Sequence, residues 1–110
     1  MTRAGIIAAI DREADVLAEV LGDQDHPNGT GPDRMLLEVL PRYSNLRDNA
    51  RALADIRSAI GDVSHADLLL ETVFAALAED DPAKLTAELV KLAGTATRWI
   101  EAIDRAEATR

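Results

Sequence analysis

The sequence predicts an all-α fold, a four-helix-type bundle closing on a C-terminal antiparallel helical hairpin, and three observations carry that prediction. Apolar residues recur at steps of three and four over most of the 110 residues, which gathers them on one side of a helix. No stretch alternates apolar and polar residues with period two for more than a few positions, so no strand is predicted. Prolines and four of the six glycines fall between or at the ends of the periodic stretches, with Gly5 and Gly94 inside them.

Thr2 to Leu21 places Ile6, Ile10, Ala14, Leu17 and Leu21 on one stripe, with Asp11, Arg12, Asp15 and Glu19 off it, and Gly22 ends the helix. Residues 22–32 hold two prolines and several glycines with Asp and Asn between them, the chemistry of a loop. Asp33 to Leu40 (DRMLLEVL) has the composition of two helical turns stopped by Pro41. Ser44 is the expected N-cap of a helix running to Ile60 with Leu46, Ala50, Leu53, Ile56 and Ile60 on its apolar face, and Gly61 the expected left-handed stop.

Ser64 and Asp67 form a capping-box-like pair that opens a helix over about 65–79, rich in leucine at 68–70 and carrying Val73, Phe74 and Leu77. Asp81-Pro82 opens the last helix, about 82–107, because Asp accepts N-terminal N–H bonds and Pro at the first helical position loses none. A connection of about two residues between these helices predicts an antiparallel hairpin. Trp99 reads as a core anchor, and Gly94 as a place where another helix passes closely.

Length predicts a single domain over residues 1–110. With no cysteine, disulfides and thiolate metal sites are excluded, and His26 and His65 lie in separate segments without a ligand set. The net charge of -8, spread evenly along the chain, argues against nucleic acid or an anionic membrane as partner. No apolar run reaches the roughly 20 residues a membrane span needs, and Met1 to Ala9 has no leader pattern, so a soluble cytoplasmic protein is expected. Pro27 to Gly31 matches neither a phosphate loop nor a dinucleotide fingerprint. Three aromatics against twenty alanines make a core that buries little area per residue, which favours self-association.

With the hairpin turn near residues 80 and 81, Glu71 lies level with Lys91, and Glu88 level with Phe74 and Ala75. Glu71 and Glu88 then differ by only about 4.5 Å in height, within joint reach of one cation or one lysine.

The stretches DLLLETVFAALAEDDPAKLTAELV (67–90) and WIEAIDR (99–105), with QDHPNGTG (24–31) in the same order before them, resemble small MazG-like proteins of the actinobacterial and phage type. These belong to the all-α nucleoside triphosphate pyrophosphohydrolases. The resemblance implies hydrolysis of an NTP or dNTP to monophosphate and pyrophosphate, a homodimer, and Mg²⁺ held by Glu-Glu-x-x-Glu on one helix and Glu-x-x-Asp on the next. Mg²⁺ takes hard oxygens from carboxylates and phosphate, which is why such a motif aims several carboxylates at one point.

Aligned on Glu71, the second and third glutamates of the pattern are Thr72 and Ala75 here; on the next helix Glu88 is present and Lys91 holds the aspartate position. Two remnant carboxylates of five remain, and a lysine ammonium repels a divalent ion at close range. Asp67, one turn earlier, could substitute, but lies about 10 Å in height from Glu88. The expectation is therefore a MazG-like protein with pyrophosphohydrolase activity weak or lost, no resident cofactor, and Lys91 in the metal's place between Glu71 and Glu88, acting through a protein partner. The alternatives are an active Mg²⁺-dependent enzyme whose ligands, such as Asp33 or Glu38, come from across a dimer, and an unrelated helical interaction module.

Overall fold

The computed structural model describes residues 1–22 and 25–109. Among these the regular elements are four α-helices and one short 3-10 turn, with no strand: α1 (Arg3–Leu21), the turn (Leu36–Glu38), α2 (Tyr43–Ala59), α3 (His65–Leu77) and α4 (Pro82–Ala108). The chain forms two compact units: residues 1–27 with 96–110, and residues 28–95. Helix α4 runs through both.

In the first unit Thr2 caps α1, its Oγ1 accepting from the Gly5 N–H at 3.1 Å, and Gly22 at φ 71° ends it. Arg3 donates to Glu101 of α4 at 2.8 Å, and this bond, more than any other influence, holds the Glu101 carboxyl below its usual range. Ile6 is wholly buried, at 1% exposure. From Ile10 to Leu21 every residue of α1 is exposed, including Ile10, Leu17 and Leu21 of the predicted stripe. Trp99, expected as an anchor, is half-buried.

In the second unit α2 packs against α3. The expected cap at Ser44 is displaced: α2 begins at Tyr43, and Arg42 stands at the cap position with no side-chain bond. At the other end Asp62 N–H donates to Arg57 O at 2.8 Å and Gly61 N–H to Ser58 O at 3.1 Å, with Gly61 at φ 74°, the paired closure that a left-handed glycine permits. The face of α2 that is covered centres on Ala54, with Ala50 and Arg57 beside it, so Leu53, Ile56 and Ile60 of the predicted stripe are exposed. Among the described residues, Ala54, Ala76 and Ala78 are three of the five buried hydrophobic side chains.

Helix α3 opens on a complete capping box: Ser64 Oγ accepts from Asp67 N–H, and Asp67 Oδ2 accepts from Ser64 N–H, both at 3.1 Å. It ends at Leu77, two residues earlier than predicted, so the link to α4 is 78–81. Asp81 Oδ2 accepts from Lys84 N–H at 3.0 Å, as its place before Pro82 predicts. A Cβ built at Gly94 meets nothing within 4 Å, so the close helix expected there is not found among the described residues.

Residues 33–40 correct the sequence prediction most clearly. In place of two helical turns there is one 3-10 turn, with Leu37 and Glu38 at φ 54° and 65°. Pro41 disfavours the α conformation at Leu40, and backbone bonds across the segment, with one to α3, close it into a loop. Gly31, buried at φ 144°, donates to Leu77 O at 2.9 Å. Leu36 N–H donates to Pro41 O and Tyr43 N–H to Arg34 O, at 3.1 and 2.7 Å, and Ser44 N–H reaches Pro32 O. Met35, Leu36, Leu37, Val39 and Leu40 are exposed on it, Leu37 at 84%. Residues 25–32 form no regular element, in line with the predicted loop, of which Asp23 and Gln24 lie outside the described residues, as does Arg110 at the C-terminus.

Candidate functional site

The residues singled out by the motif lie on α3 and the first half of α4. Helix α3 carries Asp67, Glu71, Thr72 and Ala75 within two and a half turns; α4 carries Glu88 and Lys91 one turn apart. Their side chains enter distinct local contacts.

Glu71 is half-buried, and its ionic partner is Arg51 of α2, with Arg51 Nε 3.9 Å from Glu71 Oε1. Thr72, half-buried, turns its hydroxyl back to donate to Leu69 O at 2.8 Å, a local bond a threonine makes inside a helix. Ala75 offers no donor or acceptor. On α4, Lys91 Nζ lies 3.6 Å from Glu88 Oε1, a pair of i and i+3 on one helix, and the lysine side chain is 67% exposed. Lys91 thus lies beside Glu88 on its own helix, and Glu71 is paired with a cation of α2.

Asp67 is the buried carboxylate of the set, with its side chain 7% exposed. It accepts from Ser64 N–H and, at 2.5 Å, from Arg57 Nη1. The Ser64 backbone bond is the largest cause that holds its carboxyl below the usual range; burial opposes, and the Ser64 hydroxyl and the Arg57 guanidinium add to the lowering. Asp67 is thereby committed to the start of α3 and to α2. Among the described residues no group of three or more His, Asp or Glu side chains is placed to hold a metal ion.

Arg51 and Arg57 are the residues that sequence reasoning missed. The pairs 51–71 and 57–67 both centre on residues 61 and 62, the closure between α2 and α3. These are the contacts that an antiparallel α2–α3 register predicts, so the arithmetic applied at residues 80 and 81 would have found them at the Gly61 turn. Ser64-x-x-Asp67, a capping signature, was the available sign that Asp67 was already engaged.

Compared with known proteins, the chain matches no family model, no curated protein and no solved structure. No helix among the described residues is long and apolar enough to cross a membrane.

Proposed function

We propose that this chain is a helical interaction protein on a MazG-like scaffold, with nucleoside triphosphate pyrophosphohydrolysis weak or lost. The observation that carries the reading is the engagement of each remaining carboxylate by a cation of the chain itself: Glu71 by Arg51, Glu88 by Lys91, and Asp67 by Arg57. A divalent ion would have to displace these cations and then share the site with their charge. Thr72 and Ala75 supply no oxygen anion in compensation. The exposed apolar side chains of α1 and of the 33–41 loop support the second half of the reading, since clustered apolar surface marks interaction sites.

Release of pyrophosphate from the common NTPs and dNTPs, with Mg²⁺ and with Mn²⁺, tests the catalytic half. No turnover, or only slow turnover, is expected; efficient hydrolysis of any one nucleotide overturns it and favours an active enzyme with ligands completed across a dimer. Calorimetric titration with Mg²⁺ at neutral pH is expected to show no tight stoichiometric binding.

A further inference from the structure

We propose that the exposed apolar stripe of α1 is a docking face for a basic amphipathic helix of another protein, which rests on the interaction reading above and names the partner's chemistry. The stripe lies wholly within one compact unit, residues 1–27 with 96–110. Ile7, Ile10, Ala14, Leu17 and Leu21 recur at steps of 3, 4, 3 and 4, and at 100° per residue they share an arc of about 80°. All five are exposed. The covered residues of α1 are Gly5, Ile6 and Ala9, which lie off the stripe, and the Met1–Asp104 and Arg3–Glu101 pairs tie that end of the helix to α4. From Ile10 onward the helix stands without cover for 12 residues, about the length at which a helix alone in water is marginal. A partner laid along the stripe therefore adds apolar burial and helix stability together.

Charge selects the occupant. Steps of three and four make the seam of a coiled coil, and the positions beside the seam decide which helix is accepted. Asp11 stands beyond one edge of the stripe and Glu13 beyond the other, each by about 40°, while Arg12 lies on the opposite side of the helix. The flanking positions are Asp11 and Ala18 on one side and Ile6, Glu13 and Val20 on the other, with no base among them. A second copy of α1 would bring only acidic and apolar side chains to Asp11 and Glu13. A helix with lysine or arginine beside its apolar seam brings each of them a cation, and the net charge of -8 on the whole chain draws such a helix in.

Titration of the full chain with two synthetic helices of about 21 residues tests the proposal, both with leucine along the seam, one flanked by lysine and the other by glutamate. The lysine helix is expected to bind and the glutamate helix is not, and binding should slow amide hydrogen exchange from Ala14 to Leu21. Leu17→Asp is expected to weaken binding by about tenfold or more although it adds an acid, with an unchanged far-UV circular dichroism spectrum because the side chain is exposed. Asp11→Lys together with Glu13→Lys should invert the preference, so that the glutamate helix binds. Asp55→Lys, on α2, should leave binding of the lysine helix unchanged within about twofold at physiological salt. The inversion keeps the test decisive if Leu17→Asp fails to fold. No binding, equal binding of both helices, undiminished binding to Leu17→Asp, or slowed exchange outside α1 overturns the docking face. A chain that pairs with itself along α1, and loses that pairing in Leu17→Asp, overturns the occupant. Nucleotide turnover would overturn the catalytic half of the functional reading and change none of these results, so the two failures are distinguishable.

Discussion

Replacing Gly94 with alanine isolates one physical effect. Gly94 lies inside α4, 12 residues after its first, and a Cβ there would meet nothing within 4 Å. The substitution changes neither packing nor hydrogen bonding; it removes the backbone freedom that glycine gives up in a helix, about 1 kcal/mol. For 110 residues melting together, unfolding entropy near 2.1 cal/mol/K per residue turns that into a rise of about 4 °C in Tm. If residues 28–95, the unit containing Gly94, melt alone, the rise is about 7 °C. The assay is thermal denaturation followed at 222 nm, with Gly61→Ala as the paired control. Gly61 also has open space around it, but at φ 74°; the same methyl group there must lower Tm, because an L side chain strains in that conformation. A fall in Tm for Gly94→Ala, or no change, would refute the reasoning and mean that another surface occupies the space beside Gly94.

Three further outcomes follow from local geometry. Ser64→Ala removes the oxygen that accepts from Asp67 N–H and is expected to cost about 1 kcal/mol in urea denaturation; an unchanged midpoint would contradict the cap. Asp67→Asn tests pH dependence. Because the folded-state pKa of Asp67 lies below its unfolded value, its contribution is complete above about pH 4 and is lost as pH falls through the folded pKa. The stability gap between wild type and Asp67→Asn should therefore be widest near neutrality and narrow in acid; a gap constant down to pH 2 would refute the assignment. Gly31→Ala, at φ 144° with Arg34 Cγ 3.6 Å from the new Cβ, should destabilise by about 1–3 kcal/mol through backbone strain, and a neutral result would show that the loop can relax.

Helix ends were legible wherever a side chain settles them within a few residues. Gly22, Gly61, the Ser64–Asp67 pair and Asp81-Pro82 act through bonds to their own turn, and each stands where its chemistry predicts. Residues 33–40 were not legible, because their helical composition competes with Pro41, with the Tyr43–Arg34 and Ser44–Pro32 closures across the segment, and with the Gly31–Leu77 bond that no local window contains. The stripe on α2 failed for another reason: apolar periodicity shows which face could be buried, and Ala54, small enough for close approach, is the one covered. Within the candidate site the Lys91–Glu88 pair follows from helical spacing alone. The partner of Glu71 required knowing that α2 and α3 pair across the Gly61 turn, and Arg51 became visible only with that register.

Helix α4 spends residues 82–95 in one unit and 96–108 in the other. Fourteen or thirteen residues are near the length at which an isolated helix is marginal in water, because starting a helix is unfavourable by a factor of about 10³ while extending it is nearly neutral. Each half would face that initiation cost alone if the chain broke between them. Joined, whichever half docks first hands its neighbour a started helix, so a cost of about 4 kcal/mol is met once for both units. The shared helix is thus a kinetic link as well as a connector: folding that begins in either unit can spread through the Thr95–Ala96 junction.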